Sequence, residues 1–260
     1  MKLLELSTVS KHFGGIVACK DISLSVAAGQ IAGLIGPNGA GKTTVFNLIT
    51  GVYALSGGRI SFRGQDLAGV RPDQVVARGI ARTFQNIRLF RNLSVLDNVR
   101  IAVDGRIGYS LGAALVRSPG VRAREEEICG LAMGHLEEVG LADKAEIRAD
   151  SLPYGLQRKL EIARALALRP RLLLLDEPAA GMNPEESLEL AGLIRAIHRK
   201  RDLTILLIEH HMDVVMELCE KIFVLHFGEK LAEGTAEEIQ TNPDVLRAYL
   251  GEGYKRARSQ

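Results

Sequence analysis

At 260 residues, with 47% hydrophobic and 25% charged side chains, the chain has the material for one large domain or two intimately joined lobes. Its net charge of +2, with no basic stripe interleaved with aromatics, argues against a nucleic-acid partner. Cys19, Cys129 and Cys219 are too scattered for a disulfide framework or a zinc site, which fits a reducing compartment. The start, MKLLELSTVSKHF, lacks the apolar core of a signal peptide, and the longest apolar runs, Leu172–Leu175 and Ile205–Ile208, fall far short of a membrane span. The chain is expected to be soluble by itself.

In chain order, Leu3–Val9 and Ile22–Val26 alternate like half-exposed antiparallel strands, as does Arg59–Arg63 before the turn at Gly64. Gln30–Ile35 reads as a buried strand and Lys42–Thr50 as a helix closed by Gly51. From Asn86 to Ala149 the pattern is mostly helical, with a charge-dense loop at Val116–Glu127, and suggests a second lobe inserted into the first. Ser151–Leu166 joins a stiff Pro153-Tyr154-Gly155 entry to an amphipathic run. Leu156, Leu160, Ala163 and Leu166 share one side of it, and Arg158, Lys159 and Arg164 the other. Alone, that stretch is either a surface helix or half of a site that another chain completes. Two apolar strands, Leu172–Leu175 and Thr204–Ile208, flank a helix at Pro184–Arg199; this order implies a parallel sheet covered on both faces. The closing YKRARSQ reads as a frayed basic tail.

The strongest chemical signal is GPNGAGKTT: Gly36, Pro37, Asn38, Gly39, Ala40, Gly41, Lys42, Thr43 and Thr44. It fits GxxxxGK[ST] between a buried strand and a helix, the context a phosphate loop requires. The glycines let successive N–H groups turn inward as an anion nest at the positive end of a helix. Lys42 supplies a mobile charge for the β- and γ-phosphates, and the Thr43 hydroxyl is a ligand for Mg²⁺. Downstream, RLLLLDEP ends an apolar strand in Asp176, at the sheet edge where α/β folds bind ligands. Asp176 is the expected second metal anchor, acting through a water, and Glu177 the expected general base for the attacking water.

Two acids after that strand set the chain apart from small GTPases and nucleoside kinases. With its other motifs, it resembles the ATP-binding cassette family over essentially its whole length. The resemblance implies an α/β P-loop NTPase fold, with an ATP-binding core of parallel sheet plus an antiparallel β subdomain at residues 1–85 and 168–260. It places an inserted helical subdomain at 86–167, the whole forming a single ATPase domain over about residues 3–251. RTFQN resembles the Q-loop, whose Gln85 reaches Mg²⁺ and the attacking water while the loop contacts a membrane partner. LIEHH resembles the switch segment, with His210 at the γ-phosphate and His211 an ordinary polar residue. Phe13 sits where the family stacks an aromatic on adenine; the alternative is a core Phe at a strand end.

By the same resemblance, Leu152, Pro153, Tyr154, Gly155 and Leu156 form the signature that caps ATP on the opposite subunit. Pro153 stands where a serine is usual and removes a hydroxyl and a backbone donor, and Leu156 replaces a polar residue. In the D-loop, Asn183 stands where aspartate is common. These departures, with FGG, RTFQNIRLF, DEPAAGMNP and NPDVLRAYLG, are similar to the first of the two ATP-binding subunits of bacterial branched-chain amino acid importers.

That likeness implies ATP and Mg²⁺ as cofactors, and as partners a homologous second ATPase, two permease subunits and, indirectly, a periplasmic binding protein. A homodimer is an option for the chain in isolation. The implied location is the cytoplasmic face of the bacterial inner membrane, as a peripheral subunit. A repair ATPase would need a long coiled coil between Q-loop and signature, and a translation-linked factor two cassettes; neither pattern is present. Other cargoes, such as urea, another amide or an exported lipid, stay open. The patch Ile87, Leu89 and Phe90, broken by Arg88 and Arg91, is either a permease groove or part of the lobe's own core.

Overall fold

In this computed structural model, residues 1–107 and 119–249 are described. The parallel strands β3 (Ile31–Ile35), β7 (Leu172–Asp176) and β8 (Thr204–Ile208) are buried at every position. They belong to a six-stranded sheet, ordered β10-β9-β3-β8-β7-β6 with β6 at Ile80–Arg82, β9 at Lys221–His226 and β10 at Glu229–Gly234. All neighbours are parallel except β10, which runs antiparallel to β9. Side chains alternate across a strand, so this sheet feeds two cores. Ile31, Ile35, Leu173, Leu175, Ile205 and Leu207 join the cluster under the helices. Ala32, Leu34, Leu172, Leu174, Leu206 and Ile208 join the cluster shared with a second sheet.

That second sheet is antiparallel, ordered β2-β1-β4-β5, with β1 at Lys2–Phe13, β2 at Ile16–Ala27, β4 at Gly57–Phe62 and β5 at Gln65–Asp66. Leu4, Leu6 and Val9 of β1 all point inward, although Leu6 and Val9 are out of alternation. A register shift between them, with Thr8 at φ 47°, resets the pleat by one residue.

The helices are α1 (Lys42–Ile49), α2 (Pro72–Ala77), α3 (Val95–Ile107), α4 (Pro119–Glu138), α5 (Tyr154–Ala167), α6 (Pro184–Arg201), α7 (Met212–Leu218) and α8 (Ala236–Thr241). Helices α3, α4 and α5 pack on one another through Val99, Val103, Ile128, Ala132, Leu136 and Leu160. The expected loop at Val116–Glu127 is corrected here: from Pro119 onward it is the start of α4. Its charges read as a loop because they sit on an exposed helix turn, with Arg122 and Glu126 one turn apart. Val116–Ser118 and the basic tail lie outside the described residues. Arg158 is a second correction. Expected on the polar side of α5, it is only 2% exposed. Strands β6, β9 and β10 had no counterpart in the sequence reading.

Candidate active site

The carboxyl ends of β3, β7 and β8 bring the expected motifs to one edge. Gly36 leaves β3 at φ 149°, and a Cβ there would stand 2.1 Å from the Leu225 carbonyl oxygen. Gly41 at φ 100° would put one 2.7 Å from the oxygen of Ala18. Both clashes are with backbone, so the loop's path requires glycine at these positions. Lys42 is buried and donates from Nζ to the carbonyls of Gly36 at 2.6 Å and Pro37 at 2.9 Å. Its ammonium thus lies inside the loop it serves, while Thr43 at the start of α1 is exposed. Below the loop, burial pushes the Cys19 thiol up to about 11, so this cysteine packs rather than reacts.

Asp176 closes β7 at 3% exposure. Its Oδ2 accepts from Arg82 at 2.6 Å, in an ion pair whose side chains are 7% and 4% exposed. Arg82 also donates to Asn47 Oδ1 on α1 at 2.7 Å and lies over the rings of Phe46 and Phe84. One guanidinium therefore ties the phosphate-loop helix, β6 and β7 together.

Glu177, next in the chain, takes φ 48°, an uncommon conformation for a non-glycine residue. Gln85 donates from Nε2 to Glu177 Oε2 at 2.8 Å, and His210 Nδ1 lies 3.7 Å from the same oxygen. Three residues from three separate segments, all expected at the reaction centre, meet at this carboxylate. The Glu177 side chain keeps 18% exposure and that of His210 keeps 51%, so the group opens to solvent and to a substrate.

The loop after β6 that carries Gln85 is gripped from α5. Arg158 donates to the Phe84 carbonyl at 2.7 Å, to the Gln85 carbonyl, to Glu161 Oε2 at 3.0 Å and to the Tyr154 hydroxyl at 3.0 Å. Glu161 in turn accepts from the Phe84 N–H at 3.3 Å. Burial raises the Glu161 carboxyl above its ordinary value, against the opposing pull of the Phe84 N–H and Arg158. The Ser151–Leu166 stretch is therefore exposed at its Pro153–Tyr154 entry and largely buried from Arg158 onward, where it anchors the Gln85 loop.

Pro153 is the N-cap of α5 and offers no side-chain cap. Tyr154 is exposed, its ring 3.5 Å from where a Cβ on D-loop Gly181 would stand, and its hydroxyl accepts from Arg158 with its own proton left to donate. Gly155 and Leu156 are half-buried and Leu152 is buried. Asn183 is exposed, caps α6 by accepting from Glu186 N–H at 2.9 Å, and completes a capping box. Phe13 is 41% exposed and meets Tyr53 edge-on with centroids 5.1 Å apart, so it is not a core residue.

A family model described as "ABC transporter" matches residues 19–180. The chain belongs to the ABC transporter family. A second model, "Branched-chain amino acid ATP-binding cassette transporter", matches residues 229–255. The cassette is 45% identical over 250 residues to the high-affinity branched-chain amino acid transport ATP-binding protein LivG of Salmonella typhimurium, covering 96% of this chain and 98% of that one. It is 44% identical, with the same coverage, to the corresponding protein BraF of Pseudomonas aeruginosa. Among solved structures, a nucleotide-free ATP-binding cassette from an ABC transporter superposes with a TM-score of 0.83 at 30% identity, covering 96% of this chain and 99% of that chain. The ADP conformation of an ABC transporter cassette matches equally well. The chain is thus a nucleotide-binding ABC ATPase.

Three residues at the cassette's centre were given no part in the site from sequence: Arg82, Arg158 and Glu209. Glu209 follows the apolar strand β8 as Asp176 ends β7, and that parallel was a usable signal. Nothing in the letters of α5 distinguishes the buried Arg158 from the more exposed Lys159 and Arg164.

Proposed function

We propose that this cassette hydrolyses Mg-ATP to energise uptake of branched-chain amino acids through permease subunits. The convergence of Gln85, Glu177 and His210 on one carboxylate carries the hydrolytic part. Glu177 accepts a proton from the attacking water, Gln85 and His210 hold that water and the γ-phosphate, and Lys42 with the loop N–H groups binds the β- and γ-phosphates. Phe13 stacks on the adenine.

The donor set suits Mg²⁺: Thr43 offers a hydroxyl, Gln85 an amide oxygen and Asp176, through a water, the carboxylate oxygen that Arg82 leaves untouched, all hard oxygen donors. An ion held there would neutralise phosphate charge.

Leu152–Leu156 cap the ATP of a homologous second ATPase, with the exposed D-loop about Asn183 beside them. In this reading, residues 86–167 form the helical signature subdomain on a core of 1–85 and 168–260. Between the two lies a largely apolar groove of about 420 Å³, lined by Val52, Val75, Val76, Phe84, Arg88 and Ala102 among others. It suits a helix from a permease, and Phe90 and Leu93 nearby are 46% and 36% exposed. Among the described residues no helix is long and apolar enough to cross a membrane, in keeping with a peripheral place on the cytoplasmic face of the inner membrane.

The cargo follows that for which the relatives are named, and a periplasmic binding protein would deliver it. The test is co-purification with two permeases, followed by uptake of labelled leucine, urea and an amide in reconstituted vesicles. ATP-dependent uptake of leucine alone is expected; uptake of urea or the amide alone would overturn the cargo.

A further inference from the structure

Glu209 is buried at 1% exposure, directly after the apolar strand β8, and the hydrolytic assignment gives it no part. Its two oxygens serve two different loops. Oε1 accepts from the Ala179 N–H at 2.8 Å, at the start of the D-loop and two residues beyond Glu177. Oε2 accepts from the N–H groups of His210 at 2.9 Å and His211 at 3.2 Å, and lies 3.1 Å from His211 Nδ1. No Lys or Arg forms an ion pair with it among the described residues; what faces it are backbone N–H groups and the imidazoles of His210 and His211.

Burying a carboxylate is costly, and an apolar side chain of similar volume would fill this space more cheaply. What an apolar side chain lacks is the ability to accept from two loops at once. The chain leaves β7 at Asp176 and β8 at Ile208; the Glu177 N–H still donates to the Ile208 carbonyl at 2.9 Å, but the N–H groups of Ala179, His210 and His211 lie beyond the sheet and turn to Glu209 instead. Glu209 gives both departing segments one acceptor. It thereby ties the Glu177 turn, already strained at φ 48°, to the backbone that carries His210.

We infer that Glu209 is a positioning residue that sets the spacing between Glu177 and His210 and fixes the start of the D-loop. This rests on the proposed roles of Glu177 and His210. Its prediction is specific: losing Glu209 mis-sets His210, so the two residues act as one unit.

The experiment is a double-mutant cycle in the assembled transporter, using Glu209→Gln, His210→Ala and the pair. ATP affinity and melting temperature are measured on each full-length chain. Glu209→Gln keeps the shape but turns an amide N–H₂ toward donors. It is expected to lower kcat at least about tenfold while KM and ATP affinity stay within about threefold. The pair should be no more than about threefold slower than His210→Ala alone, because a unit is lost only once.

Full turnover in Glu209→Gln beside a slow His210→Ala overturns the positioning role alone, as do losses that multiply in the pair. Full turnover in His210→Ala overturns the parent reading and this inference with it. If Glu209→Gln does not fold, Glu209→Asp enters the same cycle with the same expectations, since its carboxylate stops one bond short of spanning both loops.

Discussion

Gln85 and Glu177 lie 92 positions apart in the chain and meet at 2.8 Å, with the amide donating to the carboxylate. The bond joins the loop after β6 to the end of β7, so a movement of the Gln85 loop is felt at the proposed base. Because Arg158 holds the carbonyls of Phe84 and Gln85, α5 with its signature is part of the same linkage. In the proposed pairing with a second ATPase, this linkage would carry closure on ATP from α5 to Glu177.

Arg82→Ala removes the only Lys or Arg ion-paired with Asp176 among the described residues and leaves a carboxylate at 4% exposure uncompensated. Stranding a buried charge costs about 3 kcal/mol or more, which in a chain of this size lowers Tm by roughly 6–12 °C. Calorimetry on the nucleotide-free chain reads this directly. A change under about 2 °C would mean that Arg82 is dispensable to the fold.

The strut between α4 and the end of α6 carries a pH dependence. Glu138, with a side chain 4% exposed, accepts from Arg201 Nε at 2.9 Å and 3.0 Å, and His135 and Lys200 lie close to it. Burial works to raise its pKa, but the Arg201 hydrogen bonds and the surrounding positive charge win and hold it below the usual 4.5. A depressed carboxyl stabilises the fold above its unfolded pKa and loses that contribution as pH falls through the folded value. Glu138→Gln should therefore be less stable than the parent at pH 7, with the gap narrowing below pH 4.5. Urea unfolding at pH 7 and pH 4 checks it, and a constant gap would contradict it.

In the proposed pair with a second ATPase, Pro153 is expected to make the two sites unequal. The signature helix of this chain starts without a side-chain cap, leaving the N–H groups of Tyr154 and Gly155 and the Tyr154 proton to meet a γ-phosphate. A lost charge-assisted donor is worth about 1.5–3 kcal/mol, or roughly ten- to hundredfold. The site with this chain's Lys42 and Glu177, capped by the partner, should carry most turnover. Glu177→Gln should thus cost more than the matching change in the partner; equal losses would show that the Tyr154 hydroxyl restores the missing bond.

Much of this was legible in the sequence because it is local. GPNGAGKTT between strand and helix, an acid pair after LLLL, and an apolar TILLI each announce their place through spacing and burial period. Strands β1 and β2 extend past the expected Leu3–Val9 and Ile22–Val26 because their joined ends, Ser10–Phe13 and Ile16–Asp21, are mostly exposed and irregular in register and so carry no alternating apolar face. The start of α4 was missed because Pro119 and a run of charges imitate a loop. What stayed hidden is pairing across long separations. Arg158 with Phe84, Arg82 with Asp176, and Glu209 with Ala179 each depend on which strands the sheet sets side by side.

The most direct test of the account is Glu177→Gln in the assembled transporter, with ATP affinity measured beside steady-state turnover. The amide keeps the side chain's shape and removes the proton acceptor. Binding through Lys42 and the glycine loop should stay within about threefold, and turnover should fall by about a hundredfold or more, the scale for loss of a general base. Turnover at the parent rate would contradict the account, because the carboxylate on which Gln85 and His210 converge would then have no part in the chemistry.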